Sequence, residues 1–386
     1  MDIVVENITK NLGLPINSYP KYWFILNTLD EYVLLHYNEE EDIEDKNILA
    51  LRGVIYDTLE NKIVCKSYPY SPSIDTEDIT PYLKEKLKFC YEGAVLRIWK
   101  SKGKMYISTH KKINCHKSRW GNSKFFPELL KDLWGISLEE IEKLLFDRGD
   151  ACHVFILSHP SLLITSLKPA QGIIYMGCFI GESNYKPDGN VSYPKELNEE
   201  EAISLFKESE AIICFTKDDI FKLIPSEVRW RNKMIDNNPN RYNRYYQLLD
   251  EKEGDLIRKF DDKEKEKLNM KIENWRDLVA INFYLASPLH LREEISTYPS
   301  RYLEDKKYVI DYLTTNYNKL KISLEDRFYD KHGQLNNGGK VIKRIISTAN
   351  PKWKGNINNS IKDLINKEYS KTLYSLIKVL REDKKN

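Results

Sequence analysis

The chain has 386 residues, 41% hydrophobic and 31% charged, with a formal net charge of only +2. That is enough for two domains with ordinary cores and soluble in composition, and it leaves no global field to draw the protein to nucleic acid, so any such contact must come from a local basic patch. No run of 18 apolar residues exists, which excludes a helical membrane span.

The first residues, Met1 to Lys10, are acidic and mixed and lack the apolar core of a signal peptide. From about Tyr22 to Cys214 the pattern is strand-rich. Apolar runs at Tyr32–Tyr37, Leu51–Tyr56, Lys62–Lys66, His153–Leu157 and Gly172–Ile180 read as strands. Gly93–Trp99 and Lys104–Thr109 flank Lys100-Ser101-Lys102-Gly103, a hairpin signal. Two helices interrupt them. Phe125–Phe146 has helical spacing at Ile141, Leu144 and Leu145, with a cap signal at Ser137-Leu138-Glu139-Glu140; Asn198–Glu208 is shorter.

Beyond Asn243 the period becomes helical. Asp250–Lys267 is highly charged, and the mixed-sign Lys263–Lys271 reads as a solvated face. Ile272–Leu285, Tyr302–Tyr317 and Ser360–Arg381 are amphipathic, with Leu373, Ile377 and Leu380 sharing a face in the last; Asn336-Asn337-Gly338-Gly339 reads as a loop. The expected fold is α+β: a domain over residues 1–249 with a mixed or antiparallel sheet, then an all-helical domain over 250–386.

Six cysteines are scattered without a CxxC pair, which fits a reducing compartment; with no signal segment and no span, a cytoplasmic protein is expected. His110, Cys115 and His116 lie close together but match no zinc spacing. Cys152 and His153 are adjacent, so on a strand they point to opposite faces and cannot form a nucleophile pair. Basic residues mix with aromatics in two places. Lys111, Lys112, Lys117, Arg119 and Trp120 form one; Arg229, Trp230, Arg231, Arg241 and Arg244, with Tyr242, Tyr245 and Tyr246, form the other. Cations for phosphate and rings for bases are how single-stranded RNA is held, while a solvated basic face is the plainer alternative.

An ordered series of short motifs remains. Arg52-Gly53-Val54-Ile55 opens a strand, Ile63 to Tyr70 follows, and then Cys90-Tyr91-Glu92-Gly93 leads into another strand. After these come Ser108-Thr109-His110-Lys111-Lys112, the strand His153 to Ser158, Glu210-Ala211-Ile212-Ile213, and Phe221-Lys222-Leu223-Ile224. In this order they resemble the ATP-dependent RNA ligases of the phage T4 RNA ligase 1 type, within the covalent nucleotidyltransferases, over residues 30 to 250. The resemblance implies an RNA ligase-like nucleotidyltransferase domain. It implies nucleotide-binding roles for Arg52, Glu92, Gly93 and Lys222, a metal role for Glu210, and RNA contacts at Lys111, Lys112, Arg119, Trp120, Arg229, Arg231, Arg241 and Arg244. Such ligases are frequent in large DNA viruses and phages, and the Lys-, Asn- and Ile-rich composition agrees with an AT-rich source; the host cytoplasm or the virion is then the expected location.

Three departures from the family pattern matter. Cys90 stands where the family carries the lysine that takes AMP, Ile156 where a glutamate grips the ribose, and Ile224 where a second lysine meets phosphate. Adenylate transfer needs an amine held neutral at the moment of attack. Lys88 is the possible substitute, but it is offset along the strand by about 6.6 Å, whereas reacting atoms need to be about 3–3.5 Å apart. Three readings follow. One is a ligase-like pseudoenzyme that binds RNA or nucleotide, with no cofactor. A second is a live ligase joining 5′-phosphate and 3′-hydroxyl RNA ends through a displaced lysine, using ATP and Mg²⁺. A third is an assembly protein with a closed pocket, its protein partner meeting the helical domain.

Overall fold

A computed structural model describes residues 3–69, 71–121, 123–162, 172–236, 238, 240–249, 251–261, 272, 274–330, 334–349, 357–367 and 370–381. The mixed-sign stretch 263–271 and residues Tyr70 and Asn122 lie outside the described residues. The chain divides into two compact units, Met1–Arg229 and Trp230–Asn386. The first is α+β and the second is helical.

Three sheets build the first unit. Sheet 1 joins β1 (Trp23–Leu29), β2 (Tyr32–Tyr37), β3 (Val54–Asp57) and β4 (Lys62–Cys65) as an antiparallel meander. The short β5 (Ser73–Asp75) and β6 (Lys86–Phe89) belong to sheet 3. Sheet 2 begins with β7 (Ala94–Ser101) and β8 (Lys104–Ser108) and adds β9 (Cys152–Ser158), β10 (Gly172–Ile180) and β11 (Val191–Ser192), in the order β11-β10-β9-β7-β8. Sheet 3 is completed by β12 (Glu196–Leu197), β13 (Ile212–Phe215) and β14 (Ile220–Ile224), in the order β12-β6-β13-β14-β5.

Period-2 alternation explains the layering. In β2, Val33, Leu35 and Tyr37 face helix α1 (Ile3–Asn11) in one apolar cluster, while Tyr32 and Leu34 face Trp99, Tyr106 and Cys152 of sheet 2 in another. The far side of sheet 2, with Leu96, Ile98, Phe155 and Leu157, is covered by Leu129, Leu130 and Trp134 and by Ile141 and Leu145 from two helices. Those helices, Phe126–Trp134 and Leu138–Leu145, replace the single helix expected over 125–146. Gly135 ends the first at φ +81, and Ser137 caps the second by accepting from the Glu140 amide.

The hairpin expected around Lys100–Gly103 is present, but its turn is two residues shorter, since Lys100 and Ser101 still pair with Met105 and Lys104. Only Lys102 and Gly103 separate β7 from β8, both at positive φ, as a two-residue turn with the twist of its strands requires. The loop reading at Asn336–Gly339 is corrected. Asn336 is the cap of a helix over Asn337–Thr348 and accepts from the Gly339 amide at 2.8 Å. A Cβ at Gly339 would sit 2.4 Å from the Phe328 carbonyl, so the glycine serves a close approach inside a helix. Farther on, helices Ile357–Lys367 and Ser370–Arg381 occupy the last amphipathic stretch, with Leu373, Ile377 and Leu380 buried.

Candidate functional site

Residues Cys90 to Gly93 link sheet 3 to sheet 2, since β6 ends at Phe89 and β7 begins at Ala94. Register sets what surrounds the link. Lys88 pairs with Ile213, and Ile213 pairs with Lys222, so these three side chains project from one face of sheet 3. Leu87, Ile212, Cys214 and Leu223 project from the other face into a core shared with Ala202 and Phe206. The Phe89 and Tyr91 rings meet edge-on at 4.8 Å, which leaves Cys90 turned toward the lysine face.

The electrostatics of Cys90 agree. Burial pushes its thiol above the ordinary value; the charge of Lys222 pulls it down, and Glu92 and Glu210 push it up. One partly buried thiol therefore feels Glu92, Glu210 and Lys222 together. A thiol held protonated is a poor nucleophile and a poor metal ligand.

Lys88 is already engaged. Its side chain is 17% exposed, with Nζ 3.7 Å from Glu196 Oε1 and 5.3 Å from the centroid of the Phe215 ring. Tyr68 meets Phe215 and Phe179 edge-on behind it. A side chain drawn to a carboxylate and a ring face is positioned by those two partners and not by a nucleotide.

The sheet 2 side of the link is apolar. Val95 pairs with Ile156 on the face opposite the Leu96 and Leu157 core, and Val95 is 37% exposed. Gly93 is forced by backbone contact. A Cβ there would lie 2.1 Å from the Leu157 carbonyl oxygen and 3.2 Å from Ile156 Cγ2. Only glycine lets β7 start this close to β9.

Arg52 sits in a different neighbourhood. Its charge acts on His36 and His110, and the Cys90 thiol does not feel it. Burial first, then Arg52, Arg97 and His36, hold His110 down to about 3. Arg97 is a residue that motif reading passes over. It is 1% exposed, donating Nη1 to the Gly53 carbonyl and Nη2 to the Thr109 carbonyl. The strand pattern does contain its signal, since at period 2 the arginine shares a face with the fully buried Trp99. With Arg97 in place, Gly53 has no room for a side chain; a Cβ would fall 2.6 Å from His110 Cα.

The basic candidates separate by exposure. Lys111 and Lys112 are exposed, with Lys111 Nζ 3.9 Å from Glu39. Arg119 is exposed and lies over the Phe125 ring, while Trp120 packs partly onto the sheet 2 core. Arg229 is paired with Asp75 at 2.5 Å. Arg231 and Arg244 are buried, and Arg244 donates to the carbonyls of Met234 and Lys233. Arg241 is partly buried in the first turn of its helix.

Cys152 and His153 do face opposite ways. His153 meets the Tyr175 hydroxyl and the Leu145 carbonyl, while Cys152 meets Cys65. Among the described residues no group of three or more His, Cys, Asp or Glu is placed to hold a metal, and no helix is long and apolar enough to cross a membrane. In the helical unit a cavity of about 650 Å³ is lined by Tyr317, Leu320, Ile322, Tyr329 and Ile346.

No protein-family model matches the chain. The immediate-early protein ICP-46 homolog of Invertebrate iridescent virus 3 is 30% identical over 125 residues, which covers 28% of this chain and 27% of that protein. Its counterpart in Invertebrate iridescent virus 6 is 31% identical over 94 residues, 21% of this chain and 20% of that one. The match thus spans about a quarter of the length of these curated relatives. Among solved structures, a chain described as an ATP-dependent DNA ligase from Aquifex aeolicus aligns at a TM-score of 0.37 and 13% identity, with 81% of each chain covered. An archaeal ATP-dependent RNA ligase aligns at 0.37 and 10% identity, covering 95% of this chain and 98% of that one. Neither likeness is deep enough for a shared architecture to imply a shared activity.

Proposed function

We propose that this chain is an RNA ligase-like protein of viral type that binds a nucleotide or RNA phosphate at the Cys90 link without forming a covalent adduct. The observation that carries the reading is the state of the two residues that would have to attack. Burial holds Cys90 as a neutral thiol, and the Lys88 side chain is turned to Glu196 and the Phe215 ring.

Retained binding has its own support. Lys222, Glu92 and Glu210 all act on the Cys90 thiol, and together they are a donor set of the kind that suits a Mg²⁺–phosphate group: carboxylates for the ion and an ammonium for the phosphate. Magnesium bound partly through phosphate needs no dedicated protein cage. Mg²⁺ would neutralise phosphate charge there. Glu92 and Glu210 would orient it, Lys222 would fix the phosphate, and Val95 and Ile156 would supply an apolar wall. RNA contacts fall to the exposed Lys111, Lys112 and Arg119; buried Arg231 and Arg244 are not offered for that role. The exposure of Val95 favours an open wall over one filled by apolar side chains, and so favours binding over the closed-pocket assembly reading.

One observation supports the second reading, a live ligase with a displaced lysine. Lys88 and Lys222 share the sheet face toward which Cys90 turns. Incubation with labelled ATP or GTP and Mg²⁺, followed by a denaturing gel, separates the two. The noncovalent reading expects label in filter binding and none on the denatured chain. Label that survives denaturation, and that is lost in Lys88→Ala or Lys222→Ala, establishes the displaced-lysine ligase.

A further inference from the structure

Two cysteines that no function has absorbed lie against each other between sheets 1 and 2. Cys65 closes β4 and Cys152 opens β9, and their Sγ atoms are 3.5 Å apart. Both are free and fully buried, within an apolar cluster that includes Leu34, Ile55 and Trp99. They belong to different sheets, 87 residues apart in the chain. We propose that Cys65 and Cys152 form an oxidant-driven disulfide that staples sheet 1 to sheet 2.

The geometry is that of a pair awaiting oxidation. Sγ atoms in van der Waals contact need to close by only about 1.5 Å to reach the bond length near 2.05 Å. Both residues sit at strand ends, where chain fraying opens a path. Lys66, next to Cys65, is exposed, and so is Asp150, two residues before Cys152. The two sulfurs also differ. The Cys152 thiol donates to Cys65 Sγ and lies 3.4 Å from the Lys66 carbonyl; Cys65 also contacts Ser108 Oγ at 3.8 Å. Burial alone would raise the Cys65 thiol, but the Cys152 hydrogen bond, the Arg97 charge and Ser108 together bring it below its ordinary value. Burial and the Cys65 neighbour push Cys152 well above its own. Cys65 is thus the attacking sulfur and Cys152 the resolving thiol.

The reaction balances with a hydroperoxide as oxidant. The Cys65 thiolate attacks the peroxide oxygen, the O–O bond breaks, and hydroxide leaves and takes up a proton, giving Cys65 sulfenic acid. The Cys152 sulfur then attacks the sulfenic sulfur, the S–OH bond breaks, and water leaves with the Cys152 proton. Two thiols and one hydrogen peroxide become one disulfide and two waters.

The test uses the full chain, reduced, desalted and titrated with hydrogen peroxide under native conditions. Free thiols are then alkylated and peptides mapped without reduction. The expected result is a Cys65–Cys152 peptide pair two hydrogens lighter than its parts, formed while Cys115 and Cys214 stay free. It disappears in both Cys65→Ser and Cys152→Ser, and the oxidised wild type melts above the reduced one because a long loop is closed in the unfolded chain. Pairing among other cysteines, both thiols remaining alkylatable after denaturation, or a disulfide that lowers the melting temperature overturns the proposal.

Discussion

Replacing Gly93 by alanine tests whether this glycine is kept for packing between two strands. Its φ is +156, and an added Cβ would meet the Leu157 carbonyl oxygen at 2.1 Å and the carbonyl carbon at 2.9 Å. Those are backbone atoms in a paired strand, so they cannot turn aside as a flexible side chain would. Gly103 is the internal control. Its φ is +77, and nothing lies within 4 Å of its hypothetical Cβ. Gly103→Ala should cost only the backbone term, about 1–2 kcal/mol. Gly93→Ala adds an overpacking term of about 1–3 kcal/mol to a backbone cost of the same kind. Urea unfolding of the two variants against wild type reads the difference directly, and faster hydrogen exchange at Val95 and Leu157 locates it. Equal losses in the two variants would refute the packing account of Gly93.

Three further outcomes follow from the same geometry. Lys222→Ala should weaken Mg²⁺–ATP binding by roughly 10- to 150-fold, the loss of one charge-assisted contact worth about 1.5–3 kcal/mol; unchanged affinity in equilibrium dialysis would remove Lys222 from the site. Lys111→Ala with Lys112→Ala and Arg119→Ala should reduce single-stranded RNA affinity and flatten its salt dependence, whereas Arg244→Ala should lower stability instead, since its guanidinium ties backbone carbonyls together. His153 gives a pH prediction. Burial holds its folded pKa down to about 4 against an ordinary 6.5, so the unfolded chain binds the proton first as pH falls. Stability should therefore drop by about 3 kcal/mol between pH 6.5 and 4 and level off below. That slope should be missing in His153→Gln, as read from urea midpoints across pH.

What the chain reveals before folding depends on how local the signal is. Gly103 announces a turn because it suits a positive φ, while Lys102 at φ 52 carries no such signal, so the turn reads two residues too long. The apolar run Tyr32–Tyr37 reads as a strand because both of its faces are buried, but that same continuity hides that each face meets a different core. The break at Gly135 hides inside a continuous helical period, and only the Ser137 cap hints at it. Gly338-Gly339 reads as a loop because glycine disfavours helices, yet Phe328 and Val379 press so close that nothing larger fits. At the site, β-strand register places Lys88 and Lys222 on one face, a relation between segments more than 100 residues apart that no local pattern contains. The role of Arg97 is equally non-local, since the carbonyls it holds belong to Gly53 and Thr109.

The central claim is that the Cys90 link binds without covalent capture. The most direct measurement is intact-protein mass after incubation with ATP or GTP and Mg²⁺, beside a Cys90→Lys variant treated identically. The account predicts an unmodified wild-type mass together with measurable noncovalent nucleotide binding. A wild-type chain heavier by one nucleoside monophosphate would contradict it.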